Sequence, residues 1–462
     1  NRLFMGTVHR GPDGRKLFSL KGSPPEVMSM CTWQMKNDRV FPLTETEKLE
    51  IETENERMAG NALRVLGVAC RTLEGDDEDN LENGLTWLGL VGMADPIRDG
   101  VKELIDIYHR AGIDTVMITG DQSPTAYAVA RELNLSRDKP LEILDSTRLN
   151  GIDPELMQAL AEKVQVYSRV SPAHKLKIVQ ALQAADKTVA MTGDGINDGP
   201  ALKASDIGIA MGKSGTDVAR EIADVVLEED DLETLIIAVR DGRTTYQNIR
   251  KSVHFFLSTN FSEIMVMLAA MAMGIGFPLS VMQLLWINII SDIFPALALS
   301  MEPPEPDVLE QPPRDAKAPL FSASDYKDMT REAAAISAGA LAAYGYGIGR
   351  YGLGAGAGSL AFQSLTIGQL LHAFSCRSER HSFFDEMKPP NNNYLNIAVG
   401  GSLLLQILTM VLPGLRRLLD IRPISLSDTA VIGGSALLPF ALNEIRKKRR
   451  VMKNEKPFHD DL

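Results

Sequence analysis

Cysteine is scarce in this sequence. The chain has three cysteines among 462 residues, Cys31, Cys70 and Cys376, and no two of them are close neighbours. A disulfide framework requires a denser set of cysteines, and a structural zinc site is usually signalled by closely spaced pairs. The spacing therefore predicts neither feature, and it indicates a reducing environment for the soluble part of the protein.

Basic residues are fewer than acidic residues. The chain has 48 Lys and Arg residues against 60 Asp and Glu residues, a formal net charge of -12, and most of the acidic residues lie before residue 250. Proteins that bind nucleic acid through its phosphates need a basic surface. This balance argues against a general nucleic-acid-binding protein.

Charge nearly disappears after residue 250. Between residues 255 and 301 the only formally charged residues are Glu263 and Asp292, in a stretch long enough for two membrane spans of ~20 residues each. The mean hydropathy of -0.05 over the whole chain therefore averages a soluble half and a membrane half. At ~150 residues per domain, the length allows about three domains.

The first 85 residues combine strand and helix patterns. The stretches "RLFMGTV" and "KLFSLKG" flank a turn, and "ALRVLGVACRTL" reads as a further strand. Between them, "TETEKLEIETENERMAGN" is a charged helix that opens with Thr and Glu at capping-box spacing. Residues 1–85 are therefore predicted to form part of an α+β domain.

From residue 86 to residue 250, strand-like runs alternate with helical patterns. The runs are "TWLGLVGMAD", "DTVMITGD", "VQVYSRVS", "TVAMTGDG" and "IGIAMG". This alternation is typical of a parallel α/β sheet of Rossmann type, in which function lies at the carboxyl ends of the strands. Residues 86–250 are predicted to form such a domain.

The rest of the chain is predicted to be an all-α transmembrane bundle over residues 251–450. Further spans are expected at about 332–352, 358–376, 394–413 and 428–445, which makes about six helices. The cluster "RKKRR" at 446–450 marks the last end as cytoplasmic, because basic residues concentrate on that side. Residues 451–462 would be a cytoplasmic tail, on the same side as the soluble half.

Three motifs at strand ends point to phosphoryl chemistry. Asp194 and Asp198 in "TGDGINDG" can serve Mg²⁺, which uses one or two carboxylates together with phosphate oxygens. Thr119 in "MITGD", with the amide of Gly120, can hydrogen-bond phosphoryl oxygens, and Lys175 in "RVSPAHKLKIV" can neutralise charge in the transition state. Each motif alone has a structural reading as a turn, a cap or a solvated lysine.

The membrane half carries its own polar group. Ionisable residues in a membrane are costly and tend to mark an ion path, which singles out Glu263 and Asp292. Asn260 lies three residues before Glu263, while Asn288, Ser291 and Asp292 share a helical face at i, i+3 and i+4. Such an all-oxygen cage favours Ca²⁺, Mg²⁺, Mn²⁺ or an alkali ion. The alternative is that these residues are polar contacts between helices.

These motifs together resemble those of the P-type ATPases, within the haloacid dehalogenase-like superfamily. The resemblance is carried by "TGDGINDGPALKASDIGIAMG", "MITGD", "DP" at 95–96 and "KGSPPEV" at 21–27, and it extends over essentially the whole chain. It implies that residues 1–85 are the carboxy-terminal part of a nucleotide-binding domain and that residues 86–250 form the phosphorylation domain. It also implies ATP and Mg²⁺ as cofactors.

The resemblance assigns roles to particular residues. Asp194 would hold Mg²⁺, with Asp198 beside it, and Lys175, Thr119, Asp194 and Asp198 would be the catalytic group. The residues implied to lie around ATP and its phosphates are Lys21, Arg64, Thr119, Gly120, Asp121, Arg169, Lys175 and Asn197.

Within this family the membrane residues are similar to those of the calcium pumps, whose fifth and sixth helices carry "N..E" and "N..TD". Here the matching stretches are "NFSE" and "NIISD", with Ser291 in place of the usual Thr. Gln369 stands where one type of calcium pump has a Glu for a second ion, which implies one ion per cycle. Sodium pumps have Asp where Asn288 stands. The resemblance therefore implies Ca²⁺ as the transported cation, bound by residues that include Gln369.

One family motif does not occur in the sequence. P-type ATPases phosphorylate the Asp of "DKTG", and the nearest match here, Asp145 in "LEILDST", lacks the Lys and the Gly. The actuator domain, the first four helices and the strand that carries the nucleophile have no counterpart either. We expect a gap in the sheet, and we expect this polypeptide alone to be inactive unless an amino-terminal fragment completes it.

The leading hypothesis is the carboxy-terminal part of an ATP-driven pump that exports Ca²⁺ across a membrane, in which the phosphorylated Asp lies outside this chain. Its partners would be the cation, the lipid bilayer and the amino-terminal half. The expected location is a multi-pass position in a membrane, the plasma membrane in a bacterium. The alternatives are a truncated pump with a regulatory role, a pump for Mn²⁺, Mg²⁺ or Na⁺, and a membrane-tethered phosphatase.

Overall fold

The computed structural model describes residues 4–11, 15–60, 63–73, 81–94, 97–137, 139–149, 151–382 and 389–454. The chain divides into two compact units, Asn1–Ile236 and Ile237–Leu462. The first unit contains the β-strands, and the second is helical. The tail predicted at 451–462 lies largely outside the described residues, apart from the helical backbone of 451–454.

The first unit opens with a six-stranded sheet and two helices. The sheet order is β1-β2-β5-β6-β3-β4, and its pairs are antiparallel except for β3 with β6. The strands are β1 Phe4–Arg10, β2 Lys16–Gly22, β3 Cys31–Lys36, β4 Arg39–Pro42, β5 Leu63–Leu73 and β6 Leu85–Ala94. The helices are α1 Pro24–Ser29 and α2 Glu45–Gly60.

The local patterns of this part form the expected elements. The hairpin β1–β2 and the strand β5 occur where the sequence predicts strands. Helix α2 begins after Thr44, whose backbone N–H donates to the Glu47 carboxylate at 3.0 Å, as expected of a capping box. Side chains from one face of the sheet bury a core around Phe18, Leu20 and Trp87.

The structure moves the end of this first part beyond residue 85. Strand β6, predicted as the first strand of the parallel region, pairs antiparallel with β5 and parallel with β3. Its apolar run suits either sheet, because a strand's partners are decided by packing rather than by its own composition. The "DP" dipeptide at 95–96 lies outside the described residues.

The following region alternates short parallel strands with helices, as the sequence predicts. The strands are β7 Met117–Ile118, β8 Ile143–Asp145, β9 Val166–Ser168, β10 Ala190–Gly193, β11 Ile207–Met211 and β12 Val225–Leu227. The helices are α3 Val101–Arg110, α4 Ser123–Glu132, α5 Pro154–Ala161, α6 Pro172–Ala184, α7 Gly199–Ala204 and α8 Asp217–Ile222.

Over the described residues these strands form two separate parallel sheets of three, β7-β9-β8 and β10-β11-β12. Helix α6 packs on both, because Ile178 belongs to the core beside β9 and Val179 to the core beside β10. Ile118 of β7 contacts both cores. The edge strands β7 and β10 are therefore neighbours, although no ladder joins them in the described chain.

The second unit consists of helices, and α9 leads into it. The helices are α9 Glu233–Ala272, α10 Val281–Ile287, α11 Phe294–Leu299, α12 Ala323–Tyr351, α13 Ala355–Ser375, α14 Asn393–Val411, α15 Pro413–Leu418 and α16 Leu426–Asn454. Helices α10 and α11 are joined without a break by a π-helical segment, Asn288–Ile293.

Three helical stretches of the described chain are long and apolar enough to cross a membrane: Glu233–Ala272, Val281–Leu299 and Asn393–Val411. Helices α12, α13 and α16 occupy the other stretches for which spans are predicted, but they do not reach that degree of apolarity. Gly, Ser, Thr and Gln lower the mean hydropathy of α13, and charged residues occupy the ends of α12 and α16. A bundle of six spans therefore stays a prediction.

Helix α13 is the centre of the second unit. Most of its side chains are buried, and it packs mainly against α12, α14 and α16. Small residues permit this close packing: a Cβ atom on Gly347 of α12 would lie 2.7 Å from the Ala357 Cα of α13. The Gly- and Ala-rich composition that makes α12 and α13 weakly apolar is thus what lets their backbones approach.

Candidate functional site

Two loops at the ends of β7 and β9 are tied together by backbone hydrogen bonds. The Arg169 N–H donates to the Asp121 carbonyl oxygen at 2.8 Å, and the Val170 N–H donates to the Thr119 carbonyl oxygen at 2.9 Å. The Thr119 hydroxyl donates to the Asp121 carboxylate at 2.9 Å. These contacts place Thr119, Asp121 and Arg169 at one end of the sheet, with Gly120, Asp121 and Arg169 exposed.

A partly buried ion pair joins the loop after β10 to helix α6. Lys175, near the start of α6, donates from Nζ to Asp198 Oδ1 at 2.5 Å, and the Gly195 N–H lies 3.4 Å from Asp198 Oδ2. Asp198 is buried, whereas Asp194 and Asn197 in the same loop are exposed. Asp198 thus holds the lysine in place, and Asp194 is accessible to solvent.

Gly193 is required by this arrangement. A Cβ atom at position 193 would lie 2.6 Å from the Asp198 Cβ, closer than non-bonded carbons approach. We expect Gly193→Ala to destabilise the protein by ~1–3 kcal/mol, because the added methyl group displaces the Asp198 side chain from Lys175. Thermal unfolding of the purified chain measures this effect.

Gly195→Ala is the matched control for that substitution, since the nearest atom to its added Cβ would be the Asn197 nitrogen at 3.8 Å. Its backbone is extended, with φ of -116°, so alanine fits there. Equal unfolding temperatures for the two variants would contradict the steric argument.

Asp145, the nearest sequence match to a phosphorylated aspartate, is held in a structural role. Its carboxylate accepts hydrogen bonds from the Thr147 N–H at 3.0 Å and the Ser123 hydroxyl at 3.0 Å, and it lies 3.6 Å from Arg169 Nε. Burial opposes ionisation, but these hydrogen bonds and the Arg169 charge outweigh it and lower the pKa of Asp145. The carboxylate anchors the β8 end rather than facing a substrate.

Lys21 and Arg64 lie on neighbouring strands of the first sheet. Lys21 of β2 pairs with Val68 of β5, and Arg64 lies four residues before Val68 on the same strand. Since side chains alternate along a strand, Lys21 and Arg64 share one face, ~13 Å apart. Both are exposed, on the face opposite the core.

In the second unit, Gln369 of α13 packs directly on α9. Its side-chain Nε2 is 3.1 Å from Glu263 Oε1, 3.3 Å from Ser262 Oγ and 3.2 Å from the Thr259 carbonyl oxygen. Gln369 is fully buried, and its Oε1 has no hydrogen-bond partner in the described chain. Sequence reasoning missed Thr259 and Ser262, although both fall within the "STNFSE" stretch.

The carboxylate of Asp292 faces α9 from the π-helical segment. Asn260 Nδ2 lies 3.3 Å from Asp292 Oδ2, and Glu263 is near enough to act on Asp292 electrostatically. Asp292 Oδ1 and the neighbouring Ser291 Oγ are buried without a hydrogen-bond partner among the described residues. The structure thus brings Asn260, Glu263, Asp292 and Gln369 together in one group. Some of its buried oxygen atoms have no hydrogen-bond partner among the described residues.

Asn288 does not join this group. Its side chain is exposed, and its Nδ2 donates to the Leu284 carbonyl oxygen at 3.1 Å. The prediction of a face shared with Ser291 and Asp292 assumed α-helical spacing, whereas π turns place successive side chains at different angles. A ligand role for Asn288 stays a prediction.

Proline and serine explain why the π-helical segment is stable. The carbonyl of Ile290 would bond to the N–H five residues later in a π turn, but that residue is Pro295, which has none. Ser402 of α14 donates from Oγ to this carbonyl at 2.7 Å. The hydrogen bond from Ser402 compensates for the N–H that Pro295 lacks, and it is visible only in the packed structure.

Three family models match the chain. Residues 1–100 match the cytoplasmic domain N of P-type ATPases, residues 173–235 match the haloacid dehalogenase-like hydrolases, and residues 276–449 match the carboxy-terminal region of cation-transporting ATPases. The order of the three matches follows the order of the units described above.

Similar proteins occur in bacteria and animals. The chain is 37% identical to calcium-transporting ATPase 1 of Bacillus cereus, over 97% of this chain and 52% of that protein. It is 38% identical to the calcium-transporting ATPase of Bacillus subtilis, over 96% of this chain and 50% of that protein. It is 34% identical to the human calcium-transporting ATPase type 2C member 1, over 96% of this chain and 47% of that protein. The chain spans about half the length of these relatives.

Proposed function

The chain belongs to the P-type cation-transporting ATPases, and we propose that it is the carboxy-terminal part of an ATP-driven pump that exports Ca²⁺. The observation that carries this proposal is the buried group on α9, α13 and the π-helical segment. Glu263 and Asp292 bring two carboxylates into apolar helices. Such an arrangement is costly unless a cation occupies it.

The donors of this group suit a hard cation. Its free buried atoms are oxygens: Asp292 Oδ1, Ser291 Oγ and Gln369 Oε1. Ca²⁺ takes six to eight oxygen ligands in flexible geometry, and these oxygens with those of Glu263 and Asn260 can supply most of such a shell. Gln369 contributes no charge, which supports the proposal of one ion per cycle.

In the first unit, we propose the roles that the family resemblance implies. Lys21 and Arg64 bind ATP on the exposed face of the first sheet, and Thr119, Gly120, Asp121, Arg169 and Asn197 surround its phosphates. Asp194 binds Mg²⁺, which supplies charge neutralisation on the phosphates when bound. Lys175, held by Asp198, stabilises the charge that develops during phosphoryl transfer.

The split between the two parallel sheets supports an aspartate supplied from outside this chain. Strands β7 and β10 are neighbouring edges of two parallel sheets, and Thr119 and the loop of Asp194 follow their carboxyl ends. A strand inserted between these edges would complete one continuous sheet. An aspartate at its carboxyl end would lie beside Lys175 and both loops.

We also propose a multi-pass position in a membrane, with the soluble half and the carboxyl terminus in the cytoplasm. The three apolar stretches support membrane insertion. The basic cluster at 446–450 supports the cytoplasmic side for the last helix, since Lys and Arg are retained there.

ATP hydrolysis in a completed pump tests the proposal. The chain is fused to the amino-terminal half of the Bacillus subtilis relative, reconstituted in vesicles, and assayed against Ca²⁺, Mn²⁺ and Na⁺ with Mg²⁺ present. We expect Ca²⁺ at micromolar concentration to stimulate hydrolysis and to accumulate in inside-out vesicles. The unfused chain is the control and should not hydrolyse ATP.

Each other result decides against part of the proposal. Stimulation by Mn²⁺ or Na⁺ alone would overturn the calcium assignment and leave a pump for another cation. Hydrolysis that no cation stimulates would overturn the pump function. Hydrolysis by the unfused chain would contradict an external aspartate.

A further inference from the structure

Four side chains with metal-binding atoms lie close together in the second unit. They are distinct from the group of Asn260, Glu263, Asp292 and Gln369, which is called the oxygen group below. They come from three helices: His254 from α9, Glu332 from α12, and His372 and Cys376 from α13. One ligand atom each of His254, His372 and Cys376 lie within 4.8 Å of one another. The Glu332 carboxylate lies 2.6 Å from His254 Nε2 and 3.6 Å from His372 Nε2.

The cluster is well buried and its polar atoms are incompletely paired. His372 is 2% exposed and Cys376 is 7% exposed. His372 Nε2 lies 3.3 Å from Cys376 Sγ, while its Nδ1 has no hydrogen-bond partner in the described residues. The ring atom that faces the thiol and the Glu332 carboxylate is Nε2, so a nitrogen, a sulfur and an oxygen lie close together in a buried position.

We propose that this cluster binds a divalent transition-metal ion of the zinc class. His254 and His372 would supply nitrogen, Cys376 a thiolate sulfur, and Glu332 a carboxylate oxygen. The pair His372 and Cys376 lies at i and i+4 on α13, a spacing that puts both side chains on one helix face. Two nitrogens, one sulfur and one oxygen form a donor set that zinc accepts in tetrahedral geometry.

The distances are close to those of a tetrahedral site. With bonds of ~2.0 Å to nitrogen and ~2.3 Å to sulfur, neighbouring ligand atoms lie ~3.3–3.8 Å apart. The His372–Cys376 distance of 3.3 Å and the His372–Glu332 distance of 3.6 Å already meet this requirement. The His254–Glu332 hydrogen bond of 2.6 Å must open by ~0.7 Å as the ion replaces the shared proton.

An ion can reach the cluster from the charged end of the helices. A cavity of about 490 Å³ is lined by all four side chains, together with charged residues such as Arg331 and Lys447. The oxygen group lies deeper: Asn260 is six residues beyond His254 on α9, a rise of ~9 Å. Because sulfur and imidazole select transition metals and oxygen selects Ca²⁺, the two sites would not compete for one ion.

Metal binding would fasten α9, α12 and α13 to one another. Helix α9 also carries Glu263 and α13 also carries Gln369. The ion would therefore restrain the relative positions of the helices that supply the oxygen group. The binding claim itself does not depend on transport, because it rests on the four side chains alone.

Cobalt substitution tests the site on the full purified chain in detergent after treatment with a chelator. We expect one Co²⁺ to bind per chain with a thiolate-to-cobalt charge-transfer absorption, and Zn²⁺ to remove that absorption. Cys376→Ser should lose the absorption, and His372→Gln should weaken binding at least tenfold. Cys70→Ser, which changes a half-buried thiol in β5, is the matched control and should keep the absorption.

The unmodified chain gives a second measurement that needs no variant. Zn²⁺ should raise its thermal unfolding temperature at concentrations at which Mg²⁺ has no effect, since an ion that binds only the folded state stabilises it. The proposal is overturned if the unmodified chain shows no charge-transfer absorption or no zinc-dependent shift. It is equally overturned if Cys376→Ser retains the absorption.

Discussion

Glu263→Gln and Asp292→Asn are each expected to lower the apparent Ca²⁺ affinity of the completed pump at least ~100-fold, about 2.7 kcal/mol. Each substitution keeps the shape of the side chain and removes one of two negative charges from a buried group. The remaining donors, the amides of Asn260 and Gln369, then satisfy the neutral side chains without a cation. The Ca²⁺ dependence of phosphorylation by ATP measures the effect.

Asp428→Asn is the matched control, because Asp428 is a fully buried acid of the same unit with partners of its own. It accepts hydrogen bonds from the Ser425 N–H and the Tyr351 hydroxyl at the start of α16. This variant should retain the unmodified Ca²⁺ affinity, and nucleotide binding should be retained in all three variants. The proposed cage would be wrong if Glu263→Gln and Asp292→Asn both kept the original ion dependence.

Lys175→Met is expected to slow phosphorylation ~10²–10³-fold, the usual cost of removing one charge that stabilises a transition state. The methionine keeps the length of the side chain but not the ammonium group. It also leaves Asp198 buried without its cation, so a lower unfolding temperature should accompany the loss of rate.

Lys177→Met serves as the control for this prediction. Lys177 is on the same helix, α6, but its side chain is exposed. Its removal should change neither the phosphorylation rate nor the unfolding temperature. A Lys175→Met enzyme that is phosphorylated at the normal rate would show that Lys175 only supports the loop of Asp198.

Much of the fold follows from local sequence patterns. The capping box of α2, the hairpin β1–β2 and the alternation of parallel strands with helices all occur where the sequence predicts them. These features depend on hydrogen bonds and side-chain periodicity within a few residues, which a single sequence displays directly. The family was equally visible, because its loops at strand ends are short contiguous motifs.

The limits of that reasoning appear where distant elements meet. The apolar run of β6 predicts a strand but not its partners, so the first sheet extends past the expected boundary. Membrane spans are predicted from high mean hydropathy. The small residues through which α12 and α13 pack lower the mean hydropathy of these two helices, so they fall below the level expected of a span. The face predicted for Asn288 assumed α-helical turns, which the π-helical segment replaces.

The sequence by itself determined the change from a mixed α/β half to an apolar helical half, the loop motifs at the strand ends and the two acids among apolar residues. Only the tertiary structure decided which oxygens remain free on Asp292 and Gln369. It also decided that Cys376 lies close to His254, from which it is separated by more than a hundred residues in sequence. The physical reason is the range of the interactions. Helices, turns and motifs arise from neighbours in sequence, whereas a binding site arises from side chains that packing brings together from separate helices.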